Sequence, residues 1–346
     1  MAEFPTHPDH VTPAWLSGVL ADEVSDVRWV PIGTGQVGDS VRFTFRDAGG
    51  SERSLAAKFP AADQTSRATA ATFGLYTKEV GFYDDIAAHL GVRIPKVHFS
   101  AVSDDGSDFI LLFEDLGPAR GGDQIAGCSL ADAEAAIRQG AAIHAPSWHN
   151  DAVLELEWVA PKAEMSAQVR ALYPQAQAIW RQRYADSLEQ EFMEICEGVA
   201  AAAETLFDGV PEPVCVVHGD FRLDNMLFDI RGGAEPIAVL DWQTVTLGNP
   251  MTDIGYFMGC GIGDELRKAH ERELLDLYRA EMAACGVSLS HDDIWDDYRR
   301  GAIHGITTAV FSAAFVERTE RGDANFLSMA RGACALALAH DSLGAL

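Results

Sequence analysis

The sequence predicts an α+β chain of two lobes, a β-rich N-terminal lobe over residues 1–116 and a mainly helical C-terminal lobe over 117–346. Three observations carry this. Short β-rich runs, VRFTF, LAAKF and FILLFE, crowd the first third around one helical stretch at about 66–90. After about residue 120, Ala-rich helical segments dominate, interrupted only by strand-like pieces between Val214 and Asp241. Between the two textures lies FEDLGPARGGD, which has the Gly and Pro content of a connector.

The bulk properties narrow the partners. At 346 residues, 48% apolar and 23% charged, the composition is that of a globular protein with room for two cores. A formal charge of −26 with no basic cluster argues against nucleic acid or an anionic membrane as partner. It leaves cationic small molecules open, the plainer reading being a solvated acidic surface. The six cysteines, at 128, 196, 215, 260, 285 and 334, show no CxxC pair and no metal-ligand spacing, so they read as reduced thiols of a cytoplasmic protein. No basic stretch followed by an apolar core opens the sequence, so no secretory leader is expected. The longest uncharged run, GAIHGITTAVFSAAFV, is too short and too polar to span a bilayer and reads as a buried helix.

Within the first lobe, IGTGQVGDSVRFTF places Gly33, Gly35 and Gly38 in a GxGxxG pattern. In a dinucleotide-binding fold such glycines open a helix, and an acidic residue follows about twenty positions on. Here they open a strand and Lys58 follows, which opposes an NAD-dependent oxidoreductase. The pattern fits a glycine-rich hairpin loop over nucleotide phosphates, with a lysine on a nearby strand to reach them. On the helix at about 66–90, Phe82, Tyr83, Ile86 and Leu90 form an apolar stripe, and Glu79 lies on that stripe. A carboxylate turned toward a core needs a cation, and Lys58 is the natural candidate.

In the second lobe the informative stretch is VVHGDFRLDNMLFD, residues 216–229, where apolar strand-like runs flank two carboxylates, an arginine and an amide. Its second run and IAVL (237–240) are separated by DIRGGAEP, whose Gly-Gly and Pro predict a hairpin. A hairpin brings Asn225 and Asp241 to one end, with Asp220 five residues earlier on the loop leading in. Two carboxylates and an amide oxygen suit hard Mg²⁺ holding phosphates better than zinc.

The order of glycine-rich loop, lysine, glutamate, HGDFRLDN, VLDWQ and GNPMTDIG resembles the aminoglycoside phosphotransferase and choline kinase group of small-molecule kinases, a branch of the protein-kinase-like fold. The resemblance runs over nearly the whole chain. It implies Asp220 as catalytic base, Asn225 and Asp241 as Mg²⁺ ligands, Lys58 as the phosphate-binding lysine and Glu79 as its ion-pair partner. It further implies that Asp253 braces the catalytic loop, that His218 is structural, and that the backbone of Glu114 and Leu116 in FEDL faces adenine. With Arg222 two residues after Asp220 and counted with it in the catalytic loop, HGDFRLDN and the distal RTERGD look most like the kinase-like domain of certain acyl-CoA dehydrogenase fusion proteins and their free-standing bacterial relatives. That branch is similar to kinases of hydroxyacyl thioesters. A protein kinase is disfavoured, because HGD stands for HRD, DWQ for DFG, and no APE-like segment follows Asp241.

The expected activity is ATP-dependent transfer of a γ-phosphoryl group to the hydroxyl of an amino sugar, an amino alcohol or a hydroxyacyl thioester. The alternative is a catalytically silent nucleotide-binding scaffold of the same fold, which has no chemical need for Lys58, Asp220, Asn225 and Asp241 together. Asp296, Asp297 and Glu317 are candidates to meet a polyamine sugar and Arg318 and Arg321 an anionic acceptor, although each also reads as a surface charge.

Overall fold

The computed structural model describes residues 4–33, 37–209, 212–316 and 318–346, so Gly35 and Glu317 lie outside the described residues. The chain divides into two compact units. One comprises Met1–Ala88, Arg93–Ala119 and Asp229–Thr244, the other His89–Val92, Arg120–Phe228 and Val245–Leu346. The excursion Asp229–Thr244, read from sequence as part of the second lobe, thus packs with the first unit. Backbone hydrogen bonds account for this: Arg231 N–H donates to Leu116 O at 3.1 Å, Gly232 N–H to Pro118 O at 2.8 Å and Val239 N–H to Arg93 O at 2.9 Å.

The first unit is built on an antiparallel sheet of β1 (Ser25–Pro31), β2 (Gly38–Arg46), β3 (Glu52–Pro60), β4 (Val97–Val102) and β5 (Phe109–Glu114), in the spatial order β1-β2-β3-β5-β4. FILLFE is apolar almost throughout because successive side chains point to opposite faces and both faces are covered. Ile110 and Leu112 join Val41, Phe43, Leu55, Ala57 and Phe59 in one cluster beside Leu16 of helix α1 (Pro13–Leu20). Phe109, Leu111 and Phe113 face the other way, toward Tyr76 and Val80. The same alternation along β3 sends Ala57 and Phe59 to the first face and Lys58 to the second.

The helix expected at about 66–90 is interrupted. Helix α2 (Gln64–Phe73), capped by the Asp63 carboxylate on Ser66 N–H, stops at Gly74, whose φ of 65° is left-handed. Helix α3 (Leu75–Gly81) then runs into a π-helical turn at Phe82–Ile86. Glycine at this stop is the local reason one predicted helix becomes two. The expected apolar stripe survives in part: Phe82 and Ile86 are fully buried and Glu79 on the same face is 1% exposed, whereas Tyr83 is partly buried and Leu90 lies beyond the last helical turn, which ends at His89.

The second unit is helical apart from short strands such as Cys215–Val217. Its longer helices are α4 (Leu130–Ser147), α5 (Ala163–Tyr184), α6 (Gln190–Ala201), α7 (Met251–Cys260), α8 (Asp264–Ala284), α9 (His291–Phe315) and α10 (Glu320–Ala339). Capping boxes start α4, at Ser129 and Asp132, and α9, at Ser290 and Asp293. The GAIHGITTAVFSAAFV run is the buried half of α9, as its composition predicts. Helices α7 and α9 cross at backbone contact: a Cβ on Gly255 would come within 2.5 Å of Gly301 C, and a Cβ on Gly301 would collide with Met251 O. Only glycine permits this approach. Among the described residues, no helix is long and apolar enough to cross a membrane.

Candidate active site

Each unit holds one constellation of buried polar groups, and together they contain most of the residues singled out in the sequence. In the first unit, Lys58 Nζ donates to Glu79 Oε1 at 2.9 Å and Oε2 at 2.7 Å, and to Asp241 Oδ1 at 2.8 Å. The expected Lys58–Glu79 pair is therefore present, and Asp241 adds a second counter-charge. Burial pulls the Lys58 pKa down, but the Asp241 and Glu79 carboxylates more than reverse this, so the ammonium is held charged well above its ordinary value. Burial pushes the Glu79 carboxyl up, and Lys58 opposes it.

Gly38 explains how β2 makes room. A Cβ there would sit 3.2 Å from Lys58 Cε and 3.1 Å from Phe59 O, so a side chain would crowd the lysine stem. Gly33 supplies a φ of 76°, which only glycine adopts without strain. Asp241 itself adopts a left-handed φ of 64°, a conformation that needs external support in a non-glycine residue. Support comes from Lys58 and from the next residue, Trp242, whose buried ring stacks on Phe82 at 3.7 Å and 4°. The predicted hairpin before it closes through an Ile230–Glu235 bridge, with Asp229, Arg231, Gly232 and Gly233 all at positive φ.

Of the two residues expected to face adenine, Glu114 donates its N–H to Lys96 O at 2.9 Å. Its carboxylate is tied to Arg93 at 2.7 Å and to Arg231. Burial raises the Glu114 carboxyl, but these arginines hold it below the usual range. The Leu116 carbonyl is occupied by Arg231 N–H.

In the second unit, HGDFRLDN forms a tightly bonded loop. Asp253, on α7, accepts His218 N–H at 2.7 Å on Oδ2 and Gly219 N–H at 2.9 Å on Oδ1. His144 of α4 lies 3.2 Å from the same Oδ2 through Nε2 and 3.0 Å from Tyr278 OH through Nδ1, all three side chains being fully buried. Asp220 accepts from Arg222 Nε at 3.0 Å, from Asn225 Nδ2 at 2.8 Å and from Tyr256 OH at 2.9 Å. Burial alone would raise the Asp220 carboxyl; Arg222, His218 and Tyr256 bring it below its ordinary value, so it stays an ionised acceptor. Arg222 also reaches Asp224 at 2.7 Å, so its charge is matched by two carboxylates within the loop.

The sequence reading missed His144, Tyr256, Gln124 and His304. Gln124 accepts Leu223 N–H at 3.2 Å, and His304 bonds the Gly219 carbonyl at 2.8 Å. Tyr256 carried one usable signal, a place one helical turn after Asp253. The other three come from segments with no motif of their own.

Three of the charges considered for an acceptor are partnered locally. Asp296 pairs with Arg299 at 2.9 Å, Asp297 with Arg300 at 3.1 Å and Asn249 at 2.9 Å, and Arg318 with Asp323 at 2.7 Å, while Arg321 is exposed. None of the paired groups offers an unmatched charge.

The bracing of the loop by Asp253 has a pH signature. Burial raises this carboxyl, but His144 and the backbone donors hold it below the ordinary value. A depressed folded pKa contributes stability that is present above the unfolded value of about 3.9 and is lost as pH falls through the folded one. Asp253→Asn is therefore expected to lower the melting temperature at neutral pH and to flatten its decline below about pH 4. Parallel acid-limb slopes for variant and wild type would remove Asp253 as the titrating brace.

Each unit offers an oxygen of the kind a hard cation takes. Asn225 turns its Nδ2 toward Asp220 O at 2.9 Å and Oδ2 at 2.8 Å, which leaves Oδ1 as an acceptor, and the Asp241 side chain is 29% exposed. Among the described residues no group of three His, Cys, Asp or Glu side chains could hold a metal.

The chain is similar to known proteins in sequence and in fold. The family model described as the phosphotransferase enzyme family matches residues 32–285. Among solved structures, the GDP complex of aminoglycoside 2'-phosphotransferase-IIIa has a TM-score of 0.54 at 15% identity, over 90% of this chain and 93% of that one. The GDP and kanamycin complex of APH(2")-IIIa gives 0.53 at 13% identity, over 88% and 90%. At these identities the likeness is one of fold, which supports the two-lobed kinase-like class. Among curated proteins, acyl-CoA dehydrogenase family member 11 of Mus musculus is 36% identical over 77 residues, which is 22% of this chain and 10% of that protein. Family member 10 of Mus musculus is 56% identical over 41 residues, 12% of this chain and 4% of that protein. The matched stretches are thus a small part of these relatives.

Proposed function

Because the chain belongs to the phosphotransferase enzyme family and so is a small-molecule kinase, we propose that it moves the γ-phosphoryl group of Mg²⁺-ATP to a hydroxyl of a small molecule. The observation that carries the reading is Lys58 held charged between Glu79 and Asp241, a phosphate-binding ammonium beside a carboxylate for the metal.

Phosphoryl transfer asks a protein mainly for positioning and neutralisation. Lys58, oriented by Glu79, serves the phosphates, and Asp241 and Asn225 offer oxygens to Mg²⁺, which neutralises charge developing on them. Gly33, Gly35 and Gly38 are assigned to the loop over the phosphates, and the backbone of Glu114 and Leu116 to the adenine edge. Asp220 orients the acceptor hydroxyl and takes its proton as the new P–O bond forms and the bond to the leaving ADP oxygen breaks. Its depressed pKa suits this late role, since in a loose transition state the proton moves only after the phosphoryl group has largely left its donor.

The likeness of HGDFRLDN and RTERGD to the kinase-like domain of acyl-CoA dehydrogenase fusion proteins supports a hydroxyacyl thioester among the three acceptor classes. An ATP-consumption screen over amino sugars, amino alcohols and hydroxyacyl thioesters tests this. Turnover is expected with one class, the thioesters foremost; binding of Mg²⁺-ATP without turnover in any class favours the scaffold alternative. Asp241→Ala is expected to abolish the Mg²⁺ dependence of nucleotide binding, since it removes a charged metal ligand. Unchanged Mg²⁺-ATP affinity in calorimetric titration would remove Asp241 from the metal site.

A further inference from the structure

Helix α7 presents Asp253 and, one turn later, Tyr256 to the HGD loop, and the two do different work. Asp253 fixes backbone N–H groups, whereas the Tyr256 hydroxyl reaches the Asp220 carboxylate itself, at Oδ1 and 2.9 Å. Tyr256 is fully buried, and burial followed by the Asp220 charge pushes its phenol well above the ordinary value. It therefore keeps its proton and acts only as a donor to Asp220.

The Tyr256 ring lies edge-on against His304 of α9, with centroids 5.2 Å apart at 85°. His304 Nε2 is 2.8 Å from Gly219 O, and because a carbonyl only accepts, Nε2 carries the proton. The two side chains thus grip adjacent residues of one loop, and the Gly255–Gly301 approach of α7 and α9 fixes their spacing.

The donors on Asp220 differ in origin. Oδ2 accepts from Asn225 and Arg222, both of the loop itself, whereas Tyr256 of α7 donates to Oδ1, which also stands 3.0 Å from Arg222 Nε. Tyr256 thus fixes the carboxylate from a helix outside the loop. We propose that Tyr256, backed by His304, is a positioning residue that holds the Asp220 carboxylate in place to accept the proton of the acceptor hydroxyl. This rests on the kinase reading, with Asp220 as the base.

The test uses the full chain with two independent readouts. A melting-temperature cycle on Tyr256→Phe and Asp220→Ala needs no activity; the expected result is a double variant that melts well above the additive value, and strict additivity would overturn the contact. Turnover of Mg²⁺-ATP, with water as the acceptor and followed as phosphate release, reads the function. Tyr256→Phe is expected to lower kcat about tenfold to a hundredfold, as for a misplaced catalytic group, with the Kd of Mg²⁺-ATP changed less than about twofold. His304→Ala is expected to lose turnover likewise, and His304→Gln, which restores an N–H near the Gly219 carbonyl, to recover part of it. Wild-type turnover in Tyr256→Phe, or equal losses in both His304 variants, would overturn the assignment. A coupled cycle in a wild-type chain that consumes ATP neither with water nor with an amino sugar, an amino alcohol or a hydroxyacyl thioester would instead sink the kinase reading and leave the contact standing.

Discussion

Lys58→Met is expected to destabilise the first unit by about 3–5 kcal/mol, the usual cost of removing one side of a buried ion pair. Lys58 is 12% exposed and Glu79 1%, so neither has water to replace its partner. Without the ammonium, Glu79 faces Asp241 with no counter-charge and takes up a proton, which its burial already favours. Glu79→Gln is expected to cost less, because Asp241 Oδ1 remains 2.8 Å from Lys58 Nζ and keeps a counter-charge there. It should nevertheless reduce turnover, since a lysine held only by Asp241 is drawn toward the metal ligand instead of the phosphates. A double-mutant cycle read by thermal unfolding and by turnover measures the coupling. Additive effects on both readouts would mean that the pair does no joint work.

Asp220→Asn is expected to lower turnover by about 10²-fold or more while leaving nucleotide affinity close to wild type, because the base acts on the acceptor and not on ATP. The amide keeps the size of the carboxylate and can still accept from Tyr256, so the loop should hold its shape. Arg222 loses one of its two carboxylates but retains Asp224 at 2.7 Å. Steady-state turnover with calorimetric Mg²⁺-ATP binding separates the two effects. Near-normal turnover would remove Asp220 from the mechanism.

What was legible in the sequence followed from periodicity and from charge in apolar surroundings. The alternation in VRFTF and FILLFE reported the sheet because both of its faces are packed. Glu79 on an apolar stripe foretold the lysine, since a buried carboxylate must find a cation. Other features depended on tertiary contacts that no local pattern carries. The stop at Gly74 was hidden because glycine is also tolerated within helices, and only its left-handed φ of 65° ends this one. Asp229–Thr244 joined the first unit through backbone hydrogen bonds to Arg93, Leu116 and Pro118, which leave no mark on side-chain composition. Asp241 as a second partner of Lys58 lies 183 positions away in the chain, and His304 reaches Gly219 across 85. Tyr256 was the residue nearest to being read, one turn from an aspartate already assigned to the loop.

The measurement that bears most directly on the central claim is ³¹P NMR of Mg²⁺-ATP incubated with the wild-type chain and with Asp220→Asn, in the presence of a hydroxyacyl thioester, an amino sugar or an amino alcohol. The account predicts loss of the γ-phosphate resonance and growth of a phosphomonoester resonance with one of these acceptors, both suppressed in the variant. Mg²⁺-ATP that is bound yet remains intact with every acceptor, or that is consumed equally by Asp220→Asn, would contradict it.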